Sequence, residues 1–311
     1  TLLFDHPTPA LVAEHLGREV DVPADQVATA APAGTLGLLS KQANASGRGE
    51  DFMGLLMAVS EFRPSFTGPE DLPEPLHTVR LAKGDAGPGL VCFPPILANS
   101  GAQVYARFAA SLRDERDVSV VSTPGFLRGE LVPASVDAVV RAQARAVLDH
   151  AEGKPFVLVG HSSGGTLAHG VAAHLESLGT PAEALVLMDI FRHDREALSR
   201  VHPEVVGGAG EAAAAEEDAT LLDDQRLTAM GAYCRVYAGW RPTPIATPTL
   251  LVRASEPLPG MDPTAEWRST WDFEHAVLDA PGTHFSMMRE HAGTTAAAVH
   301  GWLVENFPEQ G

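Results

Sequence analysis

From residue 90 onward, short apolar runs alternate with longer stretches of helical period, and few architectures accommodate that rhythm. Residues 90–93 (Leu-Val-Cys-Phe), 118–121, 156–159, 184–188, 248–252 and 274–278 read as strands. Residues 102–112, 136–151, 165–178 and 293–305 carry apolar side chains at helical spacing. Strands buried on both faces appear as continuous apolar runs, and strands alternating with helices pair in parallel under helical layers. The expected fold is α/β, with a mostly parallel sheet and helices on both faces. The rhythm breaks at 192–240, where helical segments and a Gly/Ala/Glu-rich run at 207–217 replace the next strand. An insertion there is expected to form a helical lid over the C-terminal edge of the sheet, where ligands bind in open α/β sheets. Stretches of this length without structure are uncommon unless functional or disordered.

Ahead of this region the chain changes character twice. Residues 1–16 hold a turn, Asp5-His6-Pro7-Thr8-Pro9, and then a helical pattern to Leu16, with Thr8 suited to the N-cap and Pro9 to the first helical position. A single short helix cannot fold alone. Residues 17–50 are rich in Ala, Pro, Gly, Ser and Asn without a sustained apolar period, and read as an exposed linker. A second helix opens the domain at 51–311: Phe52, Leu55, Leu56 and Val59 share a face, Met53 and Met57 lie beside it, and Pro64 follows its end. That face can pack on its own domain or join two copies, and spacing alone favours the first.

The 311 residues suffice for one large domain with an extension. A formal charge of −18 repels phosphate backbones, which sets nucleic-acid binding aside. No apolar run is long enough to span a bilayer and the first residues lack the basic start and apolar stretch of a signal peptide, so a cytoplasmic location is expected. Cys92 and Cys234 are too few for a disulfide framework and read as free thiols.

Gly160-His161-Ser162-Ser163-Gly164 fits G-x-S-x-G, directly after one predicted strand and directly before a helix. In that context small residues permit a sharp strand-to-helix turn that lifts a serine hydroxyl above the sheet. Ser162 is the candidate nucleophile, and the amide of Ser163, rather than its side chain, is expected to point into an oxyanion hole. A serine needs a base. Of 13 histidines, His284 is favoured, in the turn Pro281-Gly282-Thr283-His284-Phe285 between the last strand and the last helix. His291 is second; His161 is expected to face elsewhere, and His169 and His174 to be structural. A carboxylate that orients the imidazole could be Asp189, after the strand at 184–188, or Glu256 or Asp262, after the strand at 248–252. The second oxyanion donor should come from the loop Pro94-Pro95-Ile96-Leu97-Ala98. Proline has no N–H, so the Ile96 amide is the first choice and Leu97 the second.

Leu3-Phe4-Asp5-His6-Pro7-Thr8-Pro9 with the helix to Leu16 resembles the last helix of a polyketide-synthase acyl carrier protein, although the carrier's Asp-Ser-Leu attachment site is absent. Phe52-Met53-Gly54-Leu55-Leu56, then Phe62-Arg63-Pro64-Ser65-Phe66, resembles the entry to the terminal thioesterases of modular type I polyketide synthases, and the order of the elbow, Asp189 and His284 is similar too. The resemblance implies an α/β-hydrolase fold, a homodimer through the opening helices, Asp189 as the acid, and a polyketide acyl chain delivered on the phosphopantetheine of an upstream carrier in the same polypeptide. The domain itself would need no metal or cofactor. The expected reaction is transfer of the acyl chain to Ser162 and its release as a macrolactone, with hydrolysis to a linear acid as the alternative. The loop at 94–97 is bulkier than the small-residue loop of macrolide-forming members. A discrete editing thioesterase and a general esterase share the elbow but give no reason for a carrier tail. An inactive binding module would not require Ser162, His284 and Asp189 together.

Overall fold

The computed structural model describes residues 34–190, 223–261 and 267–307. The carrier-like tail at 1–16, the linker up to residue 33, the first part of the lid and Asp262 lie outside the described residues.

The chain begins with helices α1 (Thr35–Ala45) and α2 (Gly49–Ser60), followed by a two-residue strand β1 (Ser65–Phe66). Strands β2 (Thr78–Ala82) and β3 (Gly89–Phe93), helix α3 (Ala106–Ala110), strands β4 (Val118–Val121) and β5 (Val132–Pro133), helix α4 (Val136–Ala151) and strand β6 (Phe156–His161) come next. Then follow α5 (Gly164–Ser177), β7 (Ala184–Met188), α6 (Asp224–Tyr237), β8 (Thr249–Ala254), β9 (Ala276–Ala280) and α7 (Ala292–Asn306). The principal sheet runs β2-β4-β3-β6-β7-β8-β9, with β2 antiparallel to β4 and every other neighbour parallel. β1 pairs with β5 beside it.

Period-two alternation divides the sheet's side chains between two cores. Val91, Phe93, Leu158, Leu185 and Leu187 face Val139, Val147, Leu167 and Val171 of α4 and α5. Leu90, Cys92, Val157, Val159 and Val186 face Phe108, Val299 and Leu303 of α3 and α7. Ser135 caps α4, its hydroxyl accepting the Ala138 N–H at 3.1 Å. The order of strands reverses between β3 and β6, because the chain runs from β3 to β4 on one side and then returns to β6 on the other. A crevice opens at the C-terminal ends of such a pair, between the loop at 94–100 and the turn at 162–163.

Three expectations need correction. Residues 35–45 are helical, although they fell within the linker. The side of α1 turned to the domain carries Gly37 and Ser40, both buried, with Leu36 and Ala43 partly buried beside them. Its first turn is held by a partner far along the chain, with the Leu36 N–H donating to Asp224 Oδ1 at 2.9 Å. On α2 the inward positions are Phe52, Leu56 and Ser60, while Leu55 is exposed. This face meets α6, where Gly231 lies against the Leu56 carbonyl so closely that a methyl group would collide with backbone. Finally, the segment 102–112 begins as a 3-10 turn before the short α3.

Candidate active site

The site grows from the end of β6. Ser162 has φ +53°, a left-handed conformation that a non-glycine residue adopts only under constraint. The neighbouring glycines let the constraint be met. A side chain at Gly160 would strike the backbone of Gly164 and Gly165, one at Gly164 would strike the Phe93 carbonyl, and one at Gly165 would strike Ile190. The start of α5 therefore presses against the ends of β3 and β6, with Ser162 half-buried at the rim. The first amides of a helix have no partners within it and carry the positive end of its dipole, so the Ser163 N–H lies where a developing anion beside Ser162 would be favoured.

His284 Nε2 lies 3.0 Å from Ser162 Oγ, and His284 Nδ1 lies 2.8 Å from Asp189 Oδ2. Both His284 and Asp189 are only 2% exposed, so imidazole and carboxylate are sealed beneath a serine that remains reachable. Asp189 follows β7 with φ +44°, its N–H donates to the Val252 carbonyl at 2.7 Å, and its Oδ1 accepts the Ala254 N–H at 3.0 Å. The carboxylate is thus locked to β8 on one oxygen and to the imidazole on the other. Gly282, at φ +91°, supplies the turn that sends His284 back over the sheet edge, and its carbonyl accepts the Glu256 N–H at 3.0 Å. Glu256 is exposed and His291 stands just before α7 without a side-chain capping bond.

Ile96 is placed beside Ser163, but its N–H donates to Ser163 Oγ at 2.8 Å. The amide expected to face an oxyanion is therefore turned to the neighbouring hydroxyl.

His161 also departs from expectation. Its ring stacks on that of His284, centroids 4.8 Å apart, and its Nε2 lies 2.9 Å from the His284 carbonyl oxygen. A carbonyl only accepts, so Nε2 carries the proton. Burial, and then the neighbouring His284, push the His161 pKa down to about 3, which keeps this ring neutral. Beneath it the buried Tyr105 hydroxyl accepts the His161 N–H at 2.9 Å and donates to the Phe93 carbonyl at 2.8 Å, joining the ends of β6 and β3 where their ladder stops. Tyr105 was missed because it falls inside a predicted helix, and nothing local marks its hydroxyl as a strand-end partner. His161 stands in the motif itself, and only its stacking was illegible.

Helix α6, at the end of the segment expected to form a lid, lies against the loop at 94–100. Arg226 Nη1 donates to the carbonyls of Ala98 and Ser100 at 3.0 and 3.3 Å. Arg63 joins α6 to the segment before β5: it donates to the carbonyls of Gln225, Gly125 and Glu130 and to Thr228 Oγ1, at 2.9–3.1 Å. Tyr233, Tyr237 and Trp240 pack inward, Tyr233 stacking on Phe126 and donating to the Pro124 carbonyl at 3.0 Å.

A mostly parallel sheet with a half-buried serine at a strand-to-helix elbow, and a buried imidazole and carboxylate behind it, defines an α/β-hydrolase fold. The thioesterase domain family matches residues 88–303, and the chain belongs to that family. It is 44% identical over 314 residues to the spectinabilin polyketide synthase system protein NorC of Streptomyces orinoci, covering 97% of this chain and 14% of NorC. It is 36% identical over 305 residues to the erythronolide synthase EryA3 of Saccharopolyspora erythraea, covering 97% of this chain and 9% of EryA3. The chain thus spans only a small part of these curated relatives. Among solved structures, the type II thioesterase BorB from the borrelidin biosynthetic cluster has a TM-score of 0.51 at 23% identity, covering 74% of this chain and 95% of that one. The NocB thioesterase domain has a TM-score of 0.54 at 21% identity, covering 73% and 99%. These two likenesses concern the fold alone.

Proposed function

We propose that this chain is the chain-releasing thioesterase of a modular polyketide synthase, with Ser162 as nucleophile, His284 as base and Asp189 as the group that orients the imidazole. The observation that carries the reading is the continuous line from Asp189 Oδ2 through His284 to Ser162 Oγ, at 2.8 and 3.0 Å. The sequence likeness to NorC and EryA3 over 97% of the chain supports a polyketide substrate.

In the first half-reaction His284 Nε2 takes the Ser162 proton as Oγ attacks the thioester carbonyl. The tetrahedral oxyanion accepts the Ser163 N–H, and the Asp189 carboxylate stabilises the imidazolium. Collapse expels the thiol of the carrier's phosphopantetheine, which leaves with the proton from His284, and an acyl ester remains on Ser162. In the second half His284 deprotonates a hydroxyl of the chain itself, which attacks the ester; the bond to Ser162 Oγ breaks, Oγ takes the proton back from His284, and a macrolactone is released. A charge of −18 gives no attraction to an acidic carrier, so tethering in one polypeptide supplies the effective concentration. Leu38, Leu39, Leu55 and Phe62 leave apolar surface on and just after α1 and α2, which supports a homodimer through these helices.

The test is release from a long hydroxyacyl thioester, with products weighed by mass spectrometry. Wild type should yield a product lighter than the free acid by one water, and Ser162→Ala should lose turnover on the order of 10⁶-fold. A Ser162-dependent free acid would turn the reading to hydrolytic release.

A further inference from the structure

The contact between the elbow and the 94–100 loop holds a donor that the mechanism above leaves unused. A serine hydroxyl offers one proton and two lone pairs. At Ser163 one lone pair accepts the Ile96 N–H at 2.8 Å, and among the described residues the hydroxyl proton meets no acceptor. Ser163 is half-buried, next in sequence to the nucleophile, and held against this loop because Gly164 lets α5 approach the Phe93 carbonyl. Ile96 is buried, and its amide has already given its hydrogen to Oγ, so the loop reaches the crevice through the Ser163 side chain.

We propose that the Ser163 hydroxyl is itself an oxyanion donor. Its Oγ–H hydrogen-bonds the tetrahedral oxygen formed on Ser162, beside Ser163's own N–H, while the Ile96 N–H stands behind it. The hydroxyl keeps its proton throughout and no bond is made or broken at Ser163. Accepting from an amide makes a hydroxyl a stronger donor, and an ionised acceptor strengthens the bond again. One residue thus supplies both donors, and the bulky loop Pro94-Pro95-Ile96 positions the side chain instead of contacting the substrate. This rests on Ser162 being the nucleophile.

The experiment measures single-turnover acylation by the p-nitrophenyl and N-acetylcysteamine esters of decanoic acid, with KM and thermal melting, for wild type, Ser163→Ala, Ser163→Thr and Ser162→Ala. Removing one oxyanion donor slows chemistry by about 10²-fold, so Ser163→Ala should acylate about 10²-fold more slowly with KM and melting unchanged. Ser163→Thr keeps a hydroxyl and should recover most of the rate. Acylation by Ser163→Ala at or above the wild-type rate would overturn the proposal, since Oγ would then merely block an amide that serves the oxyanion better alone. A Ser163→Thr variant as slow as Ser163→Ala would also overturn it, as would a Ser163→Ala loss expressed only in KM or melting. Undiminished acylation by Ser162→Ala would instead defeat the nucleophile assignment.

Discussion

Replacing Asp189 by Asn changes one atom and sets two hydrogen bonds against each other. Oδ2 accepts from His284 Nδ1 at 2.8 Å while Oδ1 accepts the Ala254 N–H at 3.0 Å, so both positions require an acceptor. An amide has one. If its oxygen stays on Ala254, the NH₂ faces Nδ1 and drives the proton to Nε2, where it opposes the Ser162 hydroxyl and leaves no base. If the amide flips, the NH₂ faces the Ala254 N–H, and a buried donor without a partner costs about 1–3 kcal/mol. Either way the productive tautomer is disfavoured, and the loss expected from a wrong tautomer in a serine triad is on the order of 10⁴ in kcat, equivalent to about 5.5 kcal/mol. Stopped-flow release of p-nitrophenolate from an activated ester at pH 7 and 9 measures it, with urea unfolding run alongside to separate folding from chemistry. A folded Asp189→Asn variant within tenfold of wild type would refute the reasoning and return the search for the acid to Glu256 and Asp262.

Stability should fall on acidification before most carboxylates titrate. Burial lowers the pKa of His161 to about 3 and of His169 to about 4, so below about pH 6.5 the unfolded chain takes up protons that the native state refuses. Each of these two histidines then removes about 1.4 kcal/mol per pH unit until the native state binds its proton, with His150, whose pKa burial also lowers, adding to the slope; urea midpoints between pH 7 and 5 should show a slope that His161→Gln makes shallower, and an unaltered slope would contradict the assignment. For the assembly, Phe62→Glu combined with Leu39→Lys should convert a dimer to a monomer in sedimentation equilibrium without changing activity toward a small ester, and a dimer that survives both charges would place the interface elsewhere.

What was legible in the sequence was what is decided locally. The run 156–159, the glycines of the elbow and the helix after it are neighbours in the chain, so the strand–turn–helix unit and Ser162 could be read directly. Asp189 and His284 could be read as candidates because each follows a strand at a turn, yet only the structure puts Asp189 Oδ2 and His284 Nδ1 together across 95 positions. The illegible parts are those in which a residue's partner is distant and its own type says little. The buried positions of α1, Gly37 and Ser40, carry no large apolar side chain, and its docking partner Asp224 lies 188 positions away. β2 is an antiparallel edge strand whose burial is slight, so Thr-Val-Arg-Leu-Ala carried too weak a pattern. The Ser163 side chain was assigned no role because its acceptor function depends on Ile96, 67 positions earlier.

The docking of α1 bears on where such a domain can be cut and joined to another protein. By composition the natural seam lies near residue 50, where small polar residues give way to the apolar face of α2. A splice there would discard a helix whose Leu36 amide satisfies Asp224, in the first turn of α6, the helix whose Arg226 steadies the loop carrying Ile96. The graft would keep all of its reacting groups and lose the brace on their far wall. A seam ahead of Gly34 carries that brace with it.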